Sequence, residues 1–318
     1  MASDAGKAIR VPLETALVAR KYFLDGMQKS EIALEFGISR FKVARLLEEA
    51  KSAGIVRIWV DLPTEVDVGL GEELARRYGL RQVIVAKSVE DLPGATGEMM
   101  ARLAAEFLMS TLRPDDTLGI SWGSTVARVI DEIDSLPAVD IVQMVGGVRS
   151  SALDTNGGEL VRRLTQVGAG RAFPLMVPLI VDSAATAVAL KNDAAIADVF
   201  KRFHHLSLAL VGVGSWEPAQ SSLLTELPPG DHAEARNNGA VADVCGIIVD
   251  ADGGVVESAV GARTLSIGFE QLKETATVLA VAGGIDKAHA VQAAMKSGLV
   301  DVLVTDSDCA TGILASVL

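Results

Sequence analysis

Six residues near the start of the chain have the types and spacing to grip a nucleic acid: Lys29, then Ser39, Arg40, Phe41, Lys42 and Arg45. They fall within KSEIALEFGISRFKVARLL, residues 29–47, where Gly37 follows the small Ala33 by four positions and Val43 and Leu46 follow it by ten and thirteen. That spacing reads as a helix-turn-helix. The small residue lets two helices approach, the glycine turns the chain, and Ile32, Ile38, Val43, Leu46 and Leu47 close a core between them. Ser39 stands where the second helix should start and can cap its free N–H groups. Arg40, Phe41, Lys42 and Arg45 then occupy the half of a recognition helix that meets bases and phosphates. An ordinary helical hairpin is the alternative reading.

A second set of residues lies farther along, each just after an apolar run. Gly123, Ser124 and Thr125 come at the start of a predicted helix, where backbone N–H groups and two hydroxyls suit a phosphate or a polar sugar group. Gly146 and Gly147 lack side chains that would keep a ligand from the backbone, and their loop runs on through Arg149, Thr155 and Asn156. Gly212 and Gly214 end another run. Gly283 and Gly284 precede Lys287, which can offer a positive charge to an anion. Asp243 can accept hydrogen bonds from hydroxyls. Each loop taken singly also fits a tight turn. The sequence contains no GxxxxGK[ST] and no GxSxG, which argues against a P-loop enzyme and a nucleophile elbow. His204, His205, His232 and His289 show no metal-ligand spacing.

These residues need elements to hold them. Residues 13–25 read as a first helix, with Leu17 and Leu24, and Ala16 and Phe23, forming one apolar stripe. The helix-turn-helix follows, Gly54 stops the recognition helix, and residues 55–60 read as a strand that would form a wing, with Arg57 near the phosphates. A winged helix-turn-helix over 1–60 is therefore expected, then an effector and oligomerisation domain over 61–318. Residues 66–80 predict a connecting helix. Beyond it, strands are expected at 82–86, 117–120, 140–145, 206–213, 241–249, 277–282 and 300–305, with helices at 96–111, 124–133, 287–297 and 308–317. Continuous apolar strands alternating with amphipathic helices predict an α/β, Rossmann-like doubly wound body, which binds ligands at the carboxyl ends of its strands.

Charge supports this division. The net charge is −12, yet residues 1–60 hold ten Lys/Arg against seven Asp/Glu, and the remainder holds nineteen against thirty-four. A basic head on an acidic body fits a DNA-binding module carried by a body that repels nucleic acid. Hydrophobic residues make up 49%, enough for a sizeable core, and aromatics only 4%, so aliphatic side chains and alanine must fill it. Cys245 and Cys309 have no redox or metal spacing and are expected as buried small hydrophobes in a reducing cytosol. The first ten residues lack the apolar core of a signal peptide, and no uncharged apolar run approaches about 18 residues. A cytoplasmic protein with no membrane contact and no cofactor is expected.

Whole blocks of the chain resemble the SorC family of bacterial sugar-responsive transcription regulators. EIALEFGISRFKVARLLEEAKSAGIVRI is similar to the family's head pattern, and GISWGSTV, VQMVGG, ALVGVGS, NNGAVADVCGIIVDADG, VLAVAGGIDKAHAV and VDVLVTDSDCA follow in the family's order. The resemblance implies an effector domain similar to sugar-phosphate isomerases and deaminases, with phosphorylated sugars as typical effectors. It puts the phosphate or sugar loop on Gly123, Ser124 and Thr125, a further ligand loop on Gly146 and Gly147 with Thr155 nearby, the hydroxyl partner on Asp243 and the basic anchor on Lys287. Departures are Val145, where some members carry Arg or Lys, Lys29 in place of an uncharged residue, and Ala44 in place of a frequent serine. Val145 removes a charged contact and makes a free sugar or polyol plausible.

The expected function is thus a DNA-binding regulator of a carbohydrate operon, with operator DNA and a small sugar, sugar phosphate or polyol as partners. One head covers half a site, so a homo-oligomer, dimer or tetramer, is expected. The alternative is a sugar-phosphate isomerase or deaminase-like enzyme with an accessory DNA-binding head.

Overall fold

The computed structural model describes residues 13–56, 65–88, 94–148 and 155–316. The chain divides into two compact units, Met1–Leu62 and Pro63–Leu318.

In the first unit three helices, α1 (Leu13–Phe23), α2 (Lys29–Phe36) and α3 (Arg40–Ser52), share one core. Gly37 ends α2 with φ 64°, a conformation that L side chains resist, and Ser39 Oγ accepts from the Lys42 N–H at 3.1 Å to cap α3. Ile32, Ala33, Val43, Leu46 and Leu47 are buried, with Ile38 packed against them. The stripe expected on α1 is displaced. Leu17 and Leu24 are exposed, and Thr15, Val18 and Ala19 are buried with Tyr22 against the core. Positions 15, 18, 19 and 22 keep the i, i+3, i+4, i+7 spacing of a single helix face, whereas Leu17 and Leu24 sit off it. The wing strand, including Arg57, lies outside the described residues beyond Val56.

The second unit is built on seven parallel strands: β1 (Gln82–Ala86), β2 (Thr117–Ile120), β3 (Asp140–Gln143), β4 (Ala172–Phe173), β5 (Leu208–Gly212), β9 (Val278–Val281) and β10 (Val302–Asp306). Their order is β1-β10-β9-β5-β2-β3-β4. Alternate residues face opposite sides, so along β5 Leu208 and Leu210 enter one core and Ala209 and Val211 the other. The first core is covered by α5 (Ala95–Thr111), α6 (Ser124–Asp131) and α7 (Gly157–Val167). The second takes buried residues from α4 (Val68–Tyr78), α8 (Ala184–Asn192), α9 (Ala194–Arg202), α12 (Ala288–Lys296) and α13 (Ser307–Ala315), with α10 (Pro229–Asn237) and α11 (Phe269–Lys273) at its margin.

Two expectations change. The helix expected to be a connector is part of the body: Leu74 of α4 is fully buried, and Val66 bridges Ala86 of β1. The run 241–249 is not one strand but a hairpin, β7 (Ala242–Val244) and β8 (Ile247–Val249), which pairs with β6 (Gly214–Ser215) in a separate antiparallel sheet. Its two-residue turn puts Cys245 at φ 54° and Gly246 at φ 81°, the positive values such hairpins require. The helices α8 and α9 had no expectation, being alanine-rich with little amphipathic contrast in α8.

The chain winds outward from the centre in two directions. After β2 it adds β3 and β4 on one side. After β5, which pairs with β2 through Leu118↔Leu208, Gly119↔Ala209 and Ile120↔Leu210, it adds β9 and β10 on the other. The carboxyl ends of β2 and β5 therefore flank the switch point, where a doubly wound sheet leaves a crevice.

Candidate functional site

A cleft of about 530 Å³, open to solvent on one side, occupies that crevice. Its floor is the end of β2 and the start of α6. Gly123 takes φ 113°, inaccessible to most side chains, and turns the chain from strand to helix. Among the described residues, the N–H groups of Ser124, Thr125 and Val126 have no backbone acceptor, as in the first turn of any helix, and the Ser124 and Thr125 hydroxyls have no hydrogen-bond partner. Together they form a set of donors at the positive end of a helix dipole.

The opposite wall comes from β5, β6 and β7. Asp243 is buried, and its Oδ1 accepts from Ser221 Oγ at 2.5 Å and from Trp216 Nε1 at 3.1 Å. Its Oδ2 has no hydrogen-bond partner, so one oxygen of a fixed carboxylate is left for a hydroxyl. Burial pushes this carboxyl above the usual carboxylate range, opposed by the Ser221 and Trp216 hydrogen bonds and by the charge of Lys287. Gly214 allows the close approach, because a Cβ there would meet Asp243 Oδ1 and Ser221 Oγ. Lys287 follows β9 in a short 3-10 helix (Ile285–Lys287), and its Nζ donates to the Val213 carbonyl at 2.9 Å. Burial pulls its pKa down, and the nearby Asp243 and Cys309 act in the other direction. No carboxylate lies within ion-pair distance of Lys287 among the described residues, so its charge remains available.

The cleft brings together Gly123, Ser124, Thr125, Gly214, Asp243 and Lys287, six of the nine residues expected around an effector. It leaves out the other three. Gly146 and Gly147 use their N–H groups on the Leu265 and Val177 carbonyls, and a Cβ on Gly146 would strike the Pro178–Leu179 backbone. These glycines serve chain packing, and Gly147 lines a different hollow. Thr155 does not line the cleft, and its carbonyl accepts from the Gly123 N–H at 3.3 Å. Val145 is 1% exposed in the core and does not line the cleft, so its apolar character says nothing about the effector's charge. Arg149 lies outside the described residues. Sequence reasoning missed Ser121, Trp122, Gln220, Ser221 and Cys245. Most sit on irregular segments with no periodicity to mark them. The Cys-Gly pair in an apolar run was the one available sign of the turn that places Cys245.

The head presents its own surface. Arg40, Phe41 and Arg45 are exposed on α3, Phe41 at 90%, and neither arginine has an acidic partner. Ser39 is spent as the cap of α3. Lys42 is committed differently from expectation: its Nζ donates to Glu14 Oε1 of α1 at 2.8 Å. Lys29 lies over the Tyr22 ring, 5.6 Å from its centroid. Among the described residues no cluster of His, Cys, Asp or Glu could hold a metal, and no helix is long and apolar enough to cross a membrane.

Comparison with known proteins agrees with this division of labour. The Sugar-bind family, a sugar-binding domain, matches residues 63–315. The transcriptional regulator LsrR of Enterobacter sp. (strain 638) is 30% identical over 322 residues, covering 98% of this chain and 95% of that protein. The deoxyribonucleoside regulator of Bacillus subtilis (strain 168) is 28% identical, covering 93% and 95%. The full-length sorbitol operon regulator SorC of Klebsiella pneumoniae shares the fold, with a TM-score of 0.72 at 22% identity over 94% of this chain and 98% of that one. These relatives are transcription regulators, not enzymes. The match of the sugar-binding family to residues 63–315 and of a regulator to 98% of the chain at 30% identity shows that the chain belongs to the SorC family of sugar-binding transcriptional regulators.

Proposed function

We propose that the protein regulates a carbohydrate operon by binding operator DNA through α3 and a small phosphorylated sugar in the switch-point cleft. The observation that carries the effector assignment is the polarity of the cleft. Free N–H groups at the start of α6, together with Lys287, favour an anionic group at one end, and the open Oδ2 of Asp243 favours hydroxyls at the other. Ser124, Thr125, Asp243 and Lys287 are the proposed effector contacts, with Gly123 and Gly214 shaping the backbone. Arg40, Phe41 and Arg45 are the proposed DNA contacts; Lys29 is free to join them beside Tyr22, and Lys42 does so only by leaving Glu14.

The protein acts as a homo-oligomer, since a single head reads half of a two-fold operator, and it works in the cytoplasm, where the operator is. Effector binding changes affinity for DNA by favouring one of two arrangements of the assembly, to the extent that it binds one of them better.

Thermal shift tests the cleft. Ribose 5-phosphate, glucose 6-phosphate and glycerol 3-phosphate are compared with the unphosphorylated parents. Stabilisation by a phosphorylated member, lost in Lys287→Ala, is the expected result. Stabilisation only by neutral sugars or polyols overturns the phosphate assignment and leaves a neutral carbohydrate site. Gel shift with the operator tests the head: Arg40→Ala combined with Arg45→Ala abolishes binding, and unchanged binding refutes the assignment of α3.

A further inference from the structure

The turn of the β7–β8 hairpin has two sides. Cys245 lines the effector cleft, and the next residue, Gly246, lines a separate hollow of about 580 Å³. The walls of this second hollow are mainly apolar, from Ile247, Ile248, Val256, Ile267 and Phe269, and the Thr264 and Ser266 hydroxyls among them donate to the Val260 and Ile267 carbonyls. Lys191, from the last turn of α8, stands in its lining.

Lys191 has an unusual position for a cation in this body. It is half-buried, with no carboxylate within ion-pair distance among the described residues, although residues 61–318 hold thirty-four acidic side chains against nineteen basic ones. Burial alone pulls its pKa down, and no neighbouring charge compensates. The Phe200 ring, with its centroid 5.8 Å from Nζ, is the one group that favours the ammonium. A partly desolvated charge without a counter-ion is unfavourable, and an anion placed beside it removes that cost. The Ser258 hydroxyl, also in the lining, is shielded from solvent and has no partner. Next to the hollow lies a second, shallower one that Lys191 also lines, together with the exposed Lys201 and with His204, so the approach is cationic.

We propose that this hollow is a second ligand site, distinct from the effector cleft, for a small carboxylate with an apolar body. The carboxylate rests on Lys191 within reach of Ser258, and the alkyl or aryl body packs among Ile248, Val256, Ile267 and Phe269. A sugar suits these walls poorly, because Lys191 and Ser258 would serve only one end of it and most of its hydroxyls would face the aliphatic and aromatic side chains. A neutral hydrocarbon does not suit them either, because it leaves the ammonium uncompensated. The site stands on its own geometry and does not depend on what fills the effector cleft.

Isothermal titration of the full chain with hexanoate and 3-phenylpropanoate tests this, with hexanamide as the neutral body and acetate as the bodiless charge. A charge-assisted contact contributes about 1.5–3 kcal/mol, so hexanoate should bind at least about tenfold more tightly than hexanamide. It should exceed acetate by up to about 200-fold, through four more buried CH₂ groups at about 0.8 kcal/mol each. Lys191→Met, which keeps the stem and removes the charge, should erase the preference for hexanoate over hexanamide, and Lys191→Arg should keep it. Failure of both carboxylates to bind, or equal binding of hexanoate and hexanamide by the wild-type chain, overturns the proposal. So does an undiminished preference in Lys191→Met. The wild-type comparison decides the matter even if a variant fails to fold.

Discussion

Removing one hydroxyl tests whether the buried carboxylate of the effector cleft is held as its geometry says. Ser221 Oγ donates to Asp243 Oδ1 at 2.5 Å and accepts from the Leu223 N–H at 3.1 Å. A hydrogen bond to a charged group contributes about 1.5–3 kcal/mol, and a capping hydroxyl about 1 kcal/mol. Ser221→Ala should therefore cost about 2.5–4 kcal/mol while Asp243 is ionised. In an Asp243→Asn background the same change removes a neutral bond and the cap, about 2 kcal/mol. The double-mutant cycle should give a coupling of about 0.5–2 kcal/mol, read as a shift of up to several degrees in the thermal midpoint, since 1 kcal/mol moves a body of this size by about 2–4 °C. The pH dependence has a definite sign. Burial holds the Asp243 carboxyl above its unfolded value, so the native state keeps its proton longer than the unfolded chain does. Its contribution to stability therefore falls as pH rises from the ordinary carboxylate range through the folded pKa, and is constant above that. The Ser221 bond favours the ionised form, so the deficit of Ser221→Ala widens as pH rises through this window and narrows below it. Additivity of the two substitutions within about 0.5 kcal/mol, or a deficit independent of pH, refutes the reasoning.

Gly214→Ala should push Ser221 and Asp243 apart, destabilise by about 1–3 kcal/mol and weaken the effector-induced thermal shift. Gly261→Ala, where a Cβ meets nothing within 4 Å, should change neither, and equal effects at both sites count against the close approach. Glu14→Gln should release Lys42 toward DNA, raising operator affinity at low salt and steepening the slope of log K against log salt by about one; an unchanged slope means Lys42 stays off the phosphates. Burial pushes the Cys309 thiol up to about 12 and the Cys245 thiol higher still. Neither should react with iodoacetamide at pH 8 in the native protein, and both should react in urea; rapid native alkylation of Cys245 contradicts its burial.

What could be read from the sequence follows the strength of local periodicity. The helix-turn-helix was fully legible because its spacing, its cap at Ser39 and its apolar positions are all local. β1 and β2 fall where expected, at 82–86 and 117–120, because short aliphatic runs bounded by turns have few alternatives. The hairpin at 242–249 was hidden because its turn is Cys-Gly rather than Asn-Gly, so the apolar run looks unbroken. That Gly146 and Gly147 lie outside the cleft was not legible, because a glycine admits a ligand and a neighbouring strand on equal terms, and the backbone partners Val177 and Leu265 are far away in sequence. Val145 shows the same limit, since the direction of a single side chain depends on register. Ser221 and Trp216, which fix Asp243, come from irregular chain 22 and 27 residues away, and no pattern links them to it.

The strand order also sets when a growing chain can become complete. β1 has one neighbour in the sheet, β10, and the pair joins Gln82 to Val302. Among the described residues the head, by contrast, draws its core from Val18 to Val56. At a synthesis rate of about 5–20 residues per second, roughly 10–50 s separate the emergence of that core from the emergence of β10. During that interval each nascent chain carries a head able to fold on a body whose first strand has an unpaired edge, a template for pairing with the wrong chain. The five-residue length of β1 limits that hazard. The same delay means that DNA-binding capacity is made before the effector-responsive sheet can close, so a chain cut short before Val302 would carry the first without the second.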